Sequence, residues 1–255
     1  MVYGIYLSAA GLQANQYRME VLANNLANAD TVGFKHDLTV MRERRAESRE
    51  GAGDPAASQP SLSGMTGGSL VGPTMTSFED GAPEHTGRPL DVAIRRDGFF
   101  RVQLADGERY TRDGRFLLNQ AGELVTAAGG HAVLDATGQP ITVPAAAASD
   151  VMIDGGGEVR AGRAKTSYGR IGVVDFDDKS LLRKTGGNLF ESLGATPRDI
   201  RASLMAGTLE KSTVDPIQSM VSMIEVTRAY QLNATMVGLA DQTLSRAVND
   251  IGRIS

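Results

Sequence analysis

Apolar residues near the start of the chain fall at Ile5, Leu12, Met19 and Leu26, a strict seven-residue repeat, with Ala9, Leu22 and Ala23 widening the stripe. That spacing predicts a helix of about 25 residues, roughly 37 Å long at 1.5 Å per residue. Asn28, Asp30 and Gly33 follow it, residue types that tolerate the turn and left-handed conformations in which helices end. The same repeat returns at the other end of the chain, at Met223, Tyr230, Val237, Leu244 and Ile251, flanked by Met220, Val226, Ala234, Ala240, Ala247 and Val248. Its start is marked in three ways. Asp215 can cap, Pro216 suits the first helical position, and Gln218 stands where its side chain can reach back to free backbone N–H groups. The pattern predicts a helix over 216–251, roughly 54 Å long, ending before Gly252.

Between the helices the pattern changes. From Arg42 to about Arg88 the chain opens with the charge-dense run RERRAESRE and continues in glycine, serine and proline, which reads as an extended connector. From Pro89 onward turn signals recur at Asp97-Gly98, Asp106-Gly107, Asp113-Gly114, Ala121-Gly122, Gly129-Gly130 and Thr137-Gly138. The stretches between them, such as FFRVQL, RYTR and RFLLN, alternate or cluster apolar residues as short strands do, predicting a meander of antiparallel hairpins. A second strand-like block, RIGVVDFDD and NLFESL, precedes the last helix. The expected fold is a mainly β central domain with long N- and C-terminal α-helices forming a coiled-coil-like assembly domain. Its boundaries are a helical domain of residues 1–34 plus 212–255, a connector over 35–88 and a β-rich domain over 89–211.

The two stripes need cover. Full burial of a Leu, Ile or Met stabilises by about 1.5–3 kcal/mol, whereas an isolated helix is marginal in water. The helices can pair within one chain, or they can meet helices of other subunits. A pair covers one narrow seam, and the C-terminal helix carries small and apolar residues on both sides of its heptad line, which favours more than one neighbour.

Composition restricts the chemistry. The 255 residues are 41% hydrophobic and 22% charged, the balance of a globular protein of one or two domains. There is no cysteine, so disulfides, thiolate metal sites and cysteine nucleophiles are excluded. A net charge of −4 spread along the chain leaves no footprint for nucleic acid or an anionic membrane. The opening MVYGIYLSAAGLQ lacks a basic region and a compact apolar core, so no cleavable signal peptide is expected. No run reaches the roughly 18 apolar residues of a membrane span.

Candidate reactive groups are sparse. His36, His85 and His131 show no ligand spacing. GEVRAGRAKT departs from a phosphate loop because Arg163 and Ala164 follow Gly162, and Lys184-Thr185-Gly186 has no partner Ser-x-x-Lys. Asp175, Asp177 and Asp178 form the one acidic cluster of interest, since alternate strand residues share a face and could pair carboxylates for hydrolysis. Asn233-Ala-Thr235 fits a glycosylation acceptor but lies within the predicted helix. No cofactor, metal or small-molecule substrate is expected.

Three segments carry a family resemblance. LANNLANADTVGFK (residues 22–35) resembles the signature of the flagellar basal-body rod, hook and hook-associated axial proteins. RPLDVAIRRDGFFRVQLADGERYTRDGRFLLNQAGELVTAAGGHAVLD (88–135) resembles their central β region, and GTLEKSTVDPIQSMVSMIEVTRAYQLNATM (207–236) their C-terminal helix. Within the family, RPLDVA and LMAGTLEKSTVDP are most similar to the proximal-rod F-type, with the distal-rod G-type or a hook-type subunit as the alternative. One departure stands at the last junction, where Ser212-Thr213-Val214 replaces the common Ser-Asn-Val.

The resemblance implies flagellar axial architecture. Terminal helices of successive subunits pack around a central channel, the β domain lies outside, and each heterologous contact repeats without closing. It implies a torque-transmitting shaft in the periplasmic part of the basal body. The partners it implies are copies of the chain, other rod proteins and the flagellar type III export apparatus. The expected assembly contacts are Ile5, Leu12, Met19, Leu22, Leu26, Met220, Met223, Tyr230, Val237, Leu244, Val248 and Ile251. Asn24, Asn25 and Asn28 would offer amides to neighbouring backbones or a water-lined channel, and Phe34 would anchor the chain as it turns outward. The competing expectation is a β-domain hydrolase using Asp175 and Asp177, with the helices serving dimerisation.

Overall fold

A computed structural model describes residues 2–43, 68–148, 150–162 and 164–251, without the side chains of 2, 250 and 251. The chain divides into two compact units, Met1–Ala27 with Asp37–Met75 and Asp215–Ser255, and Asn28–His36 with Thr76–Val214.

The first unit is built on two helices, α1 (Val2–Ala27) and α2 (Pro216–Ile251). The start of α2 follows from the sequence. Asp215 Oδ1 accepts from the backbone N–H of Ile217 at 2.9 Å and of Gln218 at 3.1 Å, which satisfies donors that a helix N-terminus leaves free. The cap is therefore made by the Asp215 carboxylate on the Gln218 backbone. The helices run antiparallel and side by side. Met19 Sδ accepts from Thr227 Oγ1 at 3.6 Å, while nearer the N-terminus the bare Gly11 leaves room for the Asn233 amide, whose Nδ2 would lie 2.8 Å from a Cβ at that position. Among the described residues three short strands belong to the same unit: β1 (Asp37–Leu38), β2 (Met41–Glu43) and β3 (Ser69–Val71). β2 and β3 pair antiparallel in the register Met41↔Val71. β4 (Met75–Thr76) lies where the units divide.

The second unit holds the other strands: β5 (Pro83–His85), β6 (Val92–Ile94), β7 (Phe99–Leu104), β8 (Gly107–Thr111), β9 (Phe116–Leu118), β10 (Leu124–Thr126), β11 (Ala132–Val133), β12 (Val151–Ile153), β13 (Glu158–Ala161) and β14 (Thr166–Arg170). They continue as β15 (Val173–Asp175), β16 (Leu182–Gly186), β17 (Leu189–Ser192), β18 (Arg198–Asp199), β19 (Leu204–Ala206) and β20 (Thr208–Glu210). The main sheet runs β16-β17-β8-β7-β11-β10-β9, with β15 joining β7 to β18. β12, β13 and β14 form a separate three-stranded sheet. Successive residues of a strand face opposite ways, so adjacent Phe99 and Phe100 on β7 serve two cores. Phe100 joins Phe116, Leu124, Val133 and Val159 in the larger one, and Phe99 joins Tyr110, Val174, Phe176 and Phe190 in the smaller. Edge-on ring pairs, Phe100 to Phe116 at 5.1 Å and Tyr110 to Phe176 at 4.9 Å, close both.

Three expectations need correction. The simple meander fails because β17, rather than β9, pairs beside β8, and β11, rather than β6, pairs beside β7. After β8 the chain crosses to β6, where Val92 N–H donates to Gly114 C=O at 3.0 Å, before turning into β9. Residues 35–88 do not form one connector. β2 and β3 belong with the helices, β5 is a strand of the β unit paired with β20, and 44–67 lie outside the described residues. Finally, the heptad stripe of α2 faces α1 of the same chain, so it is not left wholly to other subunits.

Candidate functional site

α2 is apolar in two directions. On the α1 side, Val226 is fully buried and Met223, Tyr230, Asn233, Val237, Ala240, Leu244 and Ala247 are half-buried, at alternating three- and four-residue steps. On the opposite side Ile217, Ile224, Leu232 and Leu239 are exposed, by 74%, 55%, 68% and 53%. Their steps of seven, eight and seven residues follow an untwisted helix of about 3.6 residues per turn. Met220, Val221 and Met236 widen the outer face. Scattered exposed leucines are ordinary on a protein surface. A continuous apolar stripe along one helix marks a surface that something else covers.

The signature stretch after α1 has a second role, inside the β unit. Lys35 is wholly buried, and its Nζ donates to Glu210 Oε1 at 2.6 Å and to the Glu79 carbonyl. The same Oε1 accepts from Gly81 N–H at 2.8 Å, and Oε2 accepts from Arg112 Nη1 at 3.1 Å. Arg112, also buried, lies with its guanidinium carbon 5.3 Å from the centre of the Phe99 ring. Burial pushes the Lys35 ammonium below its ordinary value of 10.5, and the Glu210 carboxylate pulls it back. Gly33 is required where it stands. Its φ is +66° and a Cβ would fall 2.5 Å from the Arg112 backbone. Its N–H donates to the Glu210 carbonyl at 2.7 Å.

Thr213 completes the clamp. Its hydroxyl accepts from His36 N–H at 3.0 Å and its own N–H donates to the Phe34 carbonyl at 3.0 Å. The threonine that departs from the family pattern therefore ties the segment entering the β unit to the segment leaving it. Sequence reading missed the clamp because Lys35, Arg112 and Glu210 are far apart along the chain. Lys35, directly after Val32, Gly33 and Phe34, was the one local signal, since Arg112 stands in the charged run ERYTRDGR.

The expected contact residues fall into groups. Ile5, Leu12, Met19, Leu22 and Leu26 on α1 are half-buried, as are Met223, Tyr230, Val237 and Leu244 on α2. Met220 and Val248 are exposed, and the Ile251 side chain lies outside the described residues. Asn24 is exposed and Asn28 half-buried, accepting from Thr31 Oγ1 at 3.1 Å. Two expectations are corrected by geometry. Asn25 is buried, its amide donating to the Asp37 carbonyl at 2.8 Å and accepting from Asp37 N–H at 2.9 Å, so it clips the chain to itself rather than to a neighbour. Phe34 is buried in the β unit beneath the Lys184 ammonium, 4.0 Å from the ring centre.

The acidic cluster is tied to cations. Asp175 lies 3.8 Å from Lys179 and 3.7 Å from Arg198, Asp177 is also near Arg198, and Asp178 accepts from Ser180 N–H at 2.9 Å to start a short 3-10 turn. Among the described residues no three His, Cys, Asp or Glu side chains converge as metal ligands, and no helix is long and apolar enough to cross a membrane. What the fold presents is a helix surface and a braced junction, the parts of a structural, assembly-type protein.

Comparison with known proteins gives that class a family. Residues 5–35 match the flagella basal body rod protein family, 93–161 the flagellar hook protein FlgE/F/G D1 domain, and 205–250 the flagellar basal body rod FlgEFG protein C-terminal family. The chain is 33% identical to flagellar basal-body rod protein FlgG of Bacillus subtilis, over 98% of this chain and 99% of that one. It is 36% identical to FlgF of Caulobacter vibrioides over 98% of each, and 31% identical to FlgG of Borreliella burgdorferi over 98% of each. The chain belongs to the flagellar basal-body rod protein family.

Proposed function

We propose that this chain is a structural subunit of the flagellar basal-body rod, and that neighbouring copies and other rod proteins cover the outer face of α2. The observation that carries the reading is the second apolar stripe, Ile217, Ile224, Leu232 and Leu239, on the side of α2 away from α1. Association costs about 4–15 kcal/mol in lost freedom, and full burial of one such side chain returns about 1.5–3 kcal/mol. Several must be covered together, which a long helix in a repeating shaft achieves. Passage through the flagellar type III apparatus to a periplasmic rod, self-association and transmission of torque belong to the same reading. So does the F-type, proximal position, supported by RPLDVA and LMAGTLEKSTVDP. The reading assigns no catalysis to Asp175 and Asp177, which face the cations Lys179 and Arg198.

The test is Ile224→Asp with Leu239→Asp, assayed for motility and for rods in isolated basal bodies. Both residues are exposed, so the variant subunit keeps its helical signal and thermal midpoint while rod assembly is lost. Normal swimming by a folded double variant would remove the outer face from the mechanism. Asn at both Asp175 and Asp177 leaves motility intact.

A further inference from the structure

Two methionines stand at the centres of exposed apolar triplets on α2. Met220 is 48% exposed and has Ile217 three residues before it and Ile224 four after; Met236 is 57% exposed, with Leu232 four before and Leu239 three after. Residues three and four apart are neighbours on a helix surface, so each thioether is flanked by the branched side chains that the proposed assembly contact would bury. The two triplets lie roughly 24 Å apart along the helix. A thioether suits an adaptable apolar contact, but it is also the apolar side chain that oxidises. Met19 and Met223 are half-buried, with Met19 Sδ already accepting from Thr227 Oγ1. Met41, Met75 and Met152 are exposed by 41%, 55% and 38% but sit on the strands β2, β4 and β12 rather than on α2.

We propose that Met220 and Met236 form a modification site, at which a two-electron oxidant of the hypohalous-acid class closes the outer face of α2 to its neighbours. The inference rests on reading that face as an assembly surface. In the reaction with hypochlorous acid the sulfur gives up two electrons and gains an S–O bond to oxygen. Chlorine leaves as chloride, and one proton is released. The sulfoxide oxygen is a strong acceptor placed among isoleucine and leucine side chains that offer no donor. Covering it leaves it unsatisfied, and keeping it hydrated keeps the triplet open. An assembled subunit shields both sulfurs, so sensitivity is confined to the subunit before incorporation.

The experiment compares the full-length protein with Met220→Leu/Met236→Leu, which keeps the apolar volume and cannot form a sulfoxide. Each is treated with hypochlorous acid, the modified methionines are located by peptide mass spectrometry, and self-association is followed by sedimentation. Each protein's own untreated association is its reference. After treatment the unsubstituted protein associates at least about tenfold more weakly, regains association with methionine sulfoxide reductase, and the double leucine variant is unaffected although its Met41, Met75 and Met152 are oxidised. Association that survives oxidation of Met220 and Met236, or an equal loss in the double leucine variant, overturns the inference alone. Absence of association in both untreated proteins overturns the assembly reading and the inference with it.

Discussion

Glu210 shows how one side chain joins segments that are remote in the chain. Its carboxylate receives Lys35 and Gly81 on one oxygen and Arg112 on the other, and its backbone carbonyl receives Gly33. A buried ion pair contributes little net stability when intact, because desolvation offsets attraction, but removing one partner strands the other charge. Glu210→Ala is therefore expected to destabilise the β unit by about 3–5 kcal/mol, seen as a lower urea midpoint with an unchanged slope. A loss under 1 kcal/mol would mean that water reaches Lys35 and Arg112 despite their burial. The same geometry explains the order of Gly33, Phe34 and Lys35. The glycine permits close approach to Arg112, the phenylalanine fills the space under Lys184, and the lysine meets Glu210.

α2 is the element on which the functional reading turns, and its start depends on Asp215. The carboxylate caps two backbone N–H groups and also places negative charge at the positive end of the helix dipole. Asp215→Ala should cost about 1 kcal/mol, read as a fall in thermal midpoint, while Asp215→Asn should recover most of that cost. Equal losses in the two variants would point to charge rather than hydrogen bonding as the cap's main contribution. Along its length α2 meets α1 through Val226 and Asn233 and leaves Ile224 and Leu239 outside. An inner change such as Val226→Asp disrupts the pair itself, so it cannot separate folding from assembly as an outer change does.

For the molecule as a whole, two units of different construction predict uneven protection. The β unit buries two aromatic and aliphatic cores, whereas α2 is covered on one side only, and its 36 residues outrun the 26 of α1. Amide exchange on the dilute protein should be slowest in β7 and β8, faster in the paired part of α2, and fastest in its last turns beyond about residue 243. Protection extending evenly to the end of α2 would mean that the lone chain already covers what the rod is proposed to cover. The sequence by itself determined the two helices, the Asp215 start and most of the hairpin turns, because these depend on neighbours a few residues apart and on periodicity. It also carried the family, through short stretches read in order. Only the tertiary structure decided that the strict heptad seam of α2 is met by α1 of the same chain, that β11 lies beside β7, that Asn25 and Phe34 are used internally, and that Lys35, Arg112 and Glu210 meet. Each of those depends on contacts between residues remote in the chain, whose partners local spacing does not encode.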